Sequence, residues 1–110
     1  MSIDEIKREI VDRVAKVEKT LRIIMFGSYA YGSPDKDSDI DILVVIDKDE
    51  YPGSFKERSE NYLRISRAIR PIEKEVPIDL LVYTKPEFEK FVESGSMFSM
   101  KILNEGKDLT

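Results

Sequence analysis

The sequence predicts an α/β (α+β) fold, a small mixed β-sheet flanked by helices in a single domain over residues 1–110. Three observations predict it. Short, branched, apolar runs at 21–26, 39–46 and 76–83 have the length and composition of strands. Amphipathic stretches stand between and around them. The resulting order, α-β-α-β-α-β-α-α, matches a small sheet with helices packed on it, and 110 residues suit one domain with one core.

Each element has its own signal. Ile3, Ile6, Ile10, Val11, Val14 and Val17 recur at helical spacing and predict a helix over 3–19. Leu21–Phe26 is a buried strand ended by Gly27, and Ser28–Tyr31 is a short helical turn closed by Gly32. Residues 33–38 (SPDKDS) are loop by composition. Asp39–Ile46 is a second strand, alternating at first and then continuously apolar. A loop containing Pro52 and Gly53 leads to a helix over Phe55–Ile69, which ends before Pro71. Val76–Tyr83 is the third strand, with Pro77 near its start. Thr84 and Glu87 form the spacing of a capping box for a helix over 86–93, and a last helix covers 96–104.

Composition narrows the chemistry. The chain has no cysteine and no histidine, which removes disulfides, thiolate nucleophiles, Cys/His zinc sites and histidine acid–base catalysis. Metal chemistry here must use carboxylates and other oxygens, which favour hard ions such as Mg²⁺ or Mn²⁺. A net charge of −4 predicts no extensive nucleic-acid-binding surface. The charged amphipathic N-terminus is unlike a signal peptide, and no apolar run reaches the ~20 residues that span a bilayer, so a cytoplasmic protein without membrane contact is expected.

Three features bear on function. Gly27-Ser28 follows a strand and opens a helical turn, where a flexible backbone, exposed N–H groups and a hydroxyl suit a phosphate; by itself such a pair is also a plain turn and cap. Asp39 and Asp41 are two apart in a strand, so they share one face while Ile40 and Ile42 point to the core. Aligned carboxylates repel, and a divalent cation relieves the repulsion; a solvated strand edge is the bland alternative. Asp79 interrupts an apolar strand, a position that calls for a metal, an ion-pair partner or exposure at an edge. Together, a phosphate seat, an aligned pair and a third acid on another strand compose a two-metal phosphoryl-transfer site, with ions ~3.5–4 Å apart. Lys36 in the 33–38 loop is within reach of a triphosphate or is simply solvated, and Tyr29 and Tyr31 stack on a base or pack.

Gly27-Ser28-Tyr29-Ala30-Tyr31-Gly32, then Ser38-Asp39-Ile40-Asp41, then Asp79, resembles the DNA polymerase beta-like nucleotidyltransferase superfamily. The small size is similar to its minimal nucleotidyltransferases, including the MntA-type antitoxins. The resemblance covers nearly the whole chain and implies that fold. It implies that Asp39 and Asp41 bind the metals that hold a triphosphate, that Asp79 binds the catalytic metal and helps activate the attacking hydroxyl, and that Gly27 and Ser28 contact the β- and γ-phosphates. It implies two Mg²⁺ ions, with Mn²⁺ an alternative, and transfer of a nucleoside monophosphate, AMP from ATP, to an acceptor hydroxyl with release of pyrophosphate. It also implies a setting: relatives of this size pair with a helical HEPN-type toxin and adenylylate one of its tyrosines. The larger members' acceptor-binding domains have no counterpart in this chain. A one-domain site is open on one side, which leaves room for a homo-oligomer or a partner to complete it. A different expectation is a non-catalytic module that neutralises a helical partner by contact.

Overall fold

The computed structural model describes every residue of the chain except Ser33, Asp35 and Lys36. Its elements run α1 (Ile3–Ala15), β1 (Thr20–Phe26), α2 (Ser28–Tyr31), β2 (Ile40–Ile46), α3 (Phe55–Glu73), β3 (Ile78–Thr84), α4 (Lys85–Glu93), α5 (Met97–Glu105) and β4 (Lys107–Asp108). Among the described residues the strands form one mixed sheet in the order β3-β2-β1-β4. β1 pairs antiparallel with β2 and with β4, and β2 pairs parallel with β3. This is the mixed α/β architecture that the alternating pattern predicts, with its helices on both faces of the sheet.

Side-chain alternation divides the sheet between two cores. On one face Ile23, Met25, Ile40, Ile42, Val44 and Ile46 meet Ile6, Ile10 and Val14 of α1 and Ile65, Ile69 and Ile72 of α3. On the other, Ile24, Phe26, Leu43 and Val45 meet Ile102 of α5, with Phe88 and Phe91 of α4 packed against them. β2 lies inside the sheet and is buried from both faces, which is why its sequence stops alternating after Asp41. Ile42 is 0% exposed at the centre of this strand. Ile42→Ala is therefore expected to lower stability by about 2–5 kcal/mol. Urea unfolding followed by circular dichroism checks this, and a loss below about 1 kcal/mol would contradict the packing.

The boundaries differ from the sequence reading in instructive ways. α1 stops at Ala15, and the N–H groups of Val17 and Glu18 both turn back to the Val14 carbonyl, leaving Val17 exposed. α3 continues through Pro71 to Glu73. Proline in the last turn removes one helical hydrogen bond, but Ile72 beyond it is 1% exposed in the core, and burying it holds the final turn in place. β4, only two residues long, was absent from the sequence reading; Arg22 Nε donates to Asp108 Oδ2 at 3.0 Å beside it. The capping box at Thr84 and Glu87 forms as its spacing predicts, and Ser2 and Glu5 make a second one at α1.

Candidate active site

β1 ends at Phe26, and the chain must turn at once into α2. Gly27 makes that turn at φ 74° and ψ −164°, a conformation open essentially to glycine alone. The lack of a side chain has a second use. A Cβ built on Gly27 would run into Asp41 Oδ2 and come 2.9 Å from Asp41 Cγ. The Asp41 carboxylate thus lies directly against the Gly27 backbone, in space that any other residue would fill. Ladder geometry explains the approach, because Phe26 is the partner of Asp41 in the β1–β2 register.

On its other side Asp41 is the parallel partner of Asp79 on β3. Asp41 shares its sheet face with Leu43 and Val45, and Asp79 shares its face with Leu81 and Tyr83. Both acids therefore point to the α4–α5 side, near the starts of β2 and β3. Burial raises the Asp41 carboxyl above its ordinary value, and the negative charges of Asp79 and then Asp39 raise it further. A cation bound at Asp41 would offset those neighbouring charges.

Asp39 stands one residue before β2 and is exposed, and Asp79, near the start of edge strand β3, is exposed as well. Of the settings that an acid in an apolar strand allows, Asp79 has exposure at an edge: β3 is the outermost strand, and water reaches it. Among the described residues no three acids are gathered tightly enough to form a ready-made ion cage. The donor chemistry nonetheless fits a hard divalent ion: Asp41 and Asp79 on adjacent strands, with Asp39 near enough to be felt at Asp41, offer carboxylate oxygens only.

Phe26, Gly27, Tyr31, Asp41, Asp79, Leu81, Phe98 and Lys101 line a cleft of about 400 Å³, and neither Asp39 nor Ser28 is among its lining residues. Its apolar wall comes partly from α5, whose place beside β1 depends on tertiary packing that no local pattern reveals. Phe98 meets Phe26 edge-on with ring centres 5.7 Å apart. Lys101 Nζ sits 4.9 Å from the centre of the Tyr31 ring. The sequence reading named neither Phe98 nor Lys101. Of the two tyrosines in α2, Tyr29 packs on the α1–α3 core, whereas Tyr31 joins both cores and faces the cleft. Lys36 lies outside the described residues. A larger hollow, about 670 Å³, is lined by Met1, Ile3, Tyr29, Ser38 and Pro77 among others and contains neither Asp41 nor Asp79. No helix among the described residues is long and apolar enough to cross a membrane.

This arrangement corresponds to known proteins. The model of the nucleotidyltransferase domain family matches residues 3–109. One Methanocaldococcus jannaschii protein, provisionally named a protein adenylyltransferase, is 28% identical over 104 residues, which is 93% of this chain and 100% of that protein. A second from the same organism, similarly named, is 43% identical over 63 residues, 54% of this chain and 61% of its own length. A toxin–antitoxin crystal structure with AMP-PNP superposes with a TM-score of 0.62 at 21% identity, covering 94% of this chain and 72% of that one. A double aspartate-to-glutamate mutant of the MntA–HpeT toxin–antitoxin superposes with a TM-score of 0.60 at 20% identity, with the same coverage. These two structures share the fold.

Proposed function

This chain belongs to the nucleotidyltransferase domain family and is a transferase, and from that premise we propose that it moves AMP from ATP to a hydroxyl of a partner protein. The observation that carries the reading is the close pairing of Asp41 with Asp79 across the β2–β3 ladder, with Gly27 held against Asp41. Phosphoryl transfer needs negative oxygens placed where they can hold divalent ions and orient a hydroxyl, next to backbone that a phosphate can approach. Asp39, Asp41 and Asp79 would hold Mg²⁺, which when bound supplies charge neutralisation for the triphosphate.

The chain's own groups do the rest. Gly27, which lines the cleft, and Ser28 after it would contact the phosphate tail; the Ala30 and Tyr31 N–H groups are already bonded to the Gly27 carbonyl, so the contact would fall to the Gly27 backbone and the Ser28 N–H and hydroxyl. Asp79 is exposed on the edge strand, so an acceptor hydroxyl can reach it from solvent. The acceptor oxygen forms a bond to the α-phosphorus, the bond to the pyrophosphate oxygen breaks, and the hydroxyl proton passes toward Asp79. The acceptor reading draws on the relatives named protein adenylyltransferases and on the toxin–antitoxin neighbours, one of them crystallised with an ATP analogue. A helical toxin partner, of the HEPN type, is the acceptor we favour.

The test is incubation with α-labelled ATP, Mg²⁺ and a co-purified partner. Label on the partner is the expected result, and it should disappear when excess chelator is added. Labelling that persists undiminished in chelator would overturn the metal-dependent mechanism. Tight binding of the partner with no label under any metal condition would favour neutralisation by contact instead.

A further inference from the structure

Lys101 is the one cation among the described residues lining the cleft that holds Asp41 and Asp79. It makes no ion pair with either acid, nor with any other described residue; its recorded contact is with the face of the Tyr31 ring. Lys101 and Asp79 are exposed, where an ion pair is worth little, so the ammonium is available to a more highly charged ligand. Here Lys101 lines the same cleft as the two acids and lies over the Tyr31 ring.

The position is fixed by the helix that carries it. Ile102, the next residue, is 1% exposed in the core under β1, and Ser99 is 0% exposed. Ser96 caps the start of the helix by accepting from the Ser99 N–H. At the other end Gly106 lets the chain pass so close that a Cβ there would stand 2.7 Å from Ile24 Cγ2. Lys101 therefore projects from an anchored helix toward Tyr31, which follows Gly27-Ser28 by one turn. At an exposed lysine the attraction of an aromatic face is small, about 0.5–1 kcal/mol, and a phosphate oxygen is a stronger partner.

We propose that Lys101 binds the β- and γ-phosphates of the nucleotide and leaves the Tyr31 ring to do so. This deepens the nucleotidyl-transfer reading and rests on it. The division of labour follows from charge. The carboxylates can meet the triphosphate only through bound cations, whereas Lys101 can meet it directly, on the side that becomes the leaving pyrophosphate. Bonds to that group strengthen as charge gathers on it during transfer.

Titration calorimetry in Mg²⁺ with ATP and with AMP, on the wild-type chain, Lys101→Ala and Lys101→Arg, tests the assignment. Lys101→Ala is expected to weaken ATP at least about tenfold, the size of one hydrogen bond to a charged group, and to leave AMP unchanged. Lys101→Arg should recover most of the ATP affinity. Equal ATP affinity in wild type and Lys101→Ala would overturn the proposal, as would an equal loss for ATP and AMP or an arginine variant no better than alanine. A wild-type chain that binds neither nucleotide would instead strike the transfer reading on which the proposal stands.

Discussion

Gly27→Ala is expected to abolish measurable nucleotide transfer, by at least about a hundredfold, and to lower stability as well. Two separate penalties act at this position. The backbone at φ 74° and ψ −164° is strained for any residue with a side chain, at about 1–3 kcal/mol. The new methyl would also occupy the place of Asp41 Oδ2. Either the turn moves or the carboxylate does, and a displacement near 1 Å in a reacting constellation commonly costs about a hundredfold in rate. Circular dichroism melting together with the labelled-ATP assay separates the two effects. A Gly27→Ala protein that melts normally and transfers at the wild-type rate would show that Asp41 does not depend on this contact.

Asp79→Asn is expected to cut transfer by about a hundredfold or more, in line with losing one charged stabilising group from a reacting site, and to leave the fold intact. Its effect on stability should run opposite to that of Gly27→Ala. Asp41 already carries the burden of burial and of the Asp79 charge, so removing that charge relieves a repulsion in metal-free buffer. The mutant should melt at the same temperature as wild type or above it. Adding Mg²⁺ should raise the melting temperature of wild type more than that of Asp79→Asn, because a ligand stabilises the folded state in proportion to its binding. Wild-type transfer by folded Asp79→Asn would end the role assigned to that side chain, and a marked loss of stability would place it in the architecture instead.

These two positions also show what could be read from sequence. The Asp39-Ile40-Asp41 spacing and the isolated Asp79 pointed to one sheet face because a strand alternates sides at every residue, and the parallel register sets Asp41 against Asp79. Gly27 was legible as a flexible turn, but its contact with Asp41 was not, since it depends on how β1 and β2 pair. The depth of Asp79 stayed open in the sequence, because apolar neighbours do not distinguish a central strand from an edge, and the sheet order places it at the edge. Lys101 and Phe98 were invisible for a related reason. Their place in the cleft depends on where α5 docks, and the packing of Ile102 beneath β1 decides that. Pro71 misled in the other direction, because a buried isoleucine beyond it outweighed one lost hydrogen bond.

The β2–β3 ladder ties chemical competence to the correctness of folding. Asp41 and Asp79 belong to different strands separated by a long helix, and only the pairing frame brings them side by side. A slip of β3 by one residue would invert its faces, turning Asp79 toward α3 and offering Ile78 or Leu80 in its place. If transfer depends on Asp41 and Asp79 together, a slipped molecule is inert. On the proposed reading, such a copy could still occupy a partner's surface while having no means of modifying it.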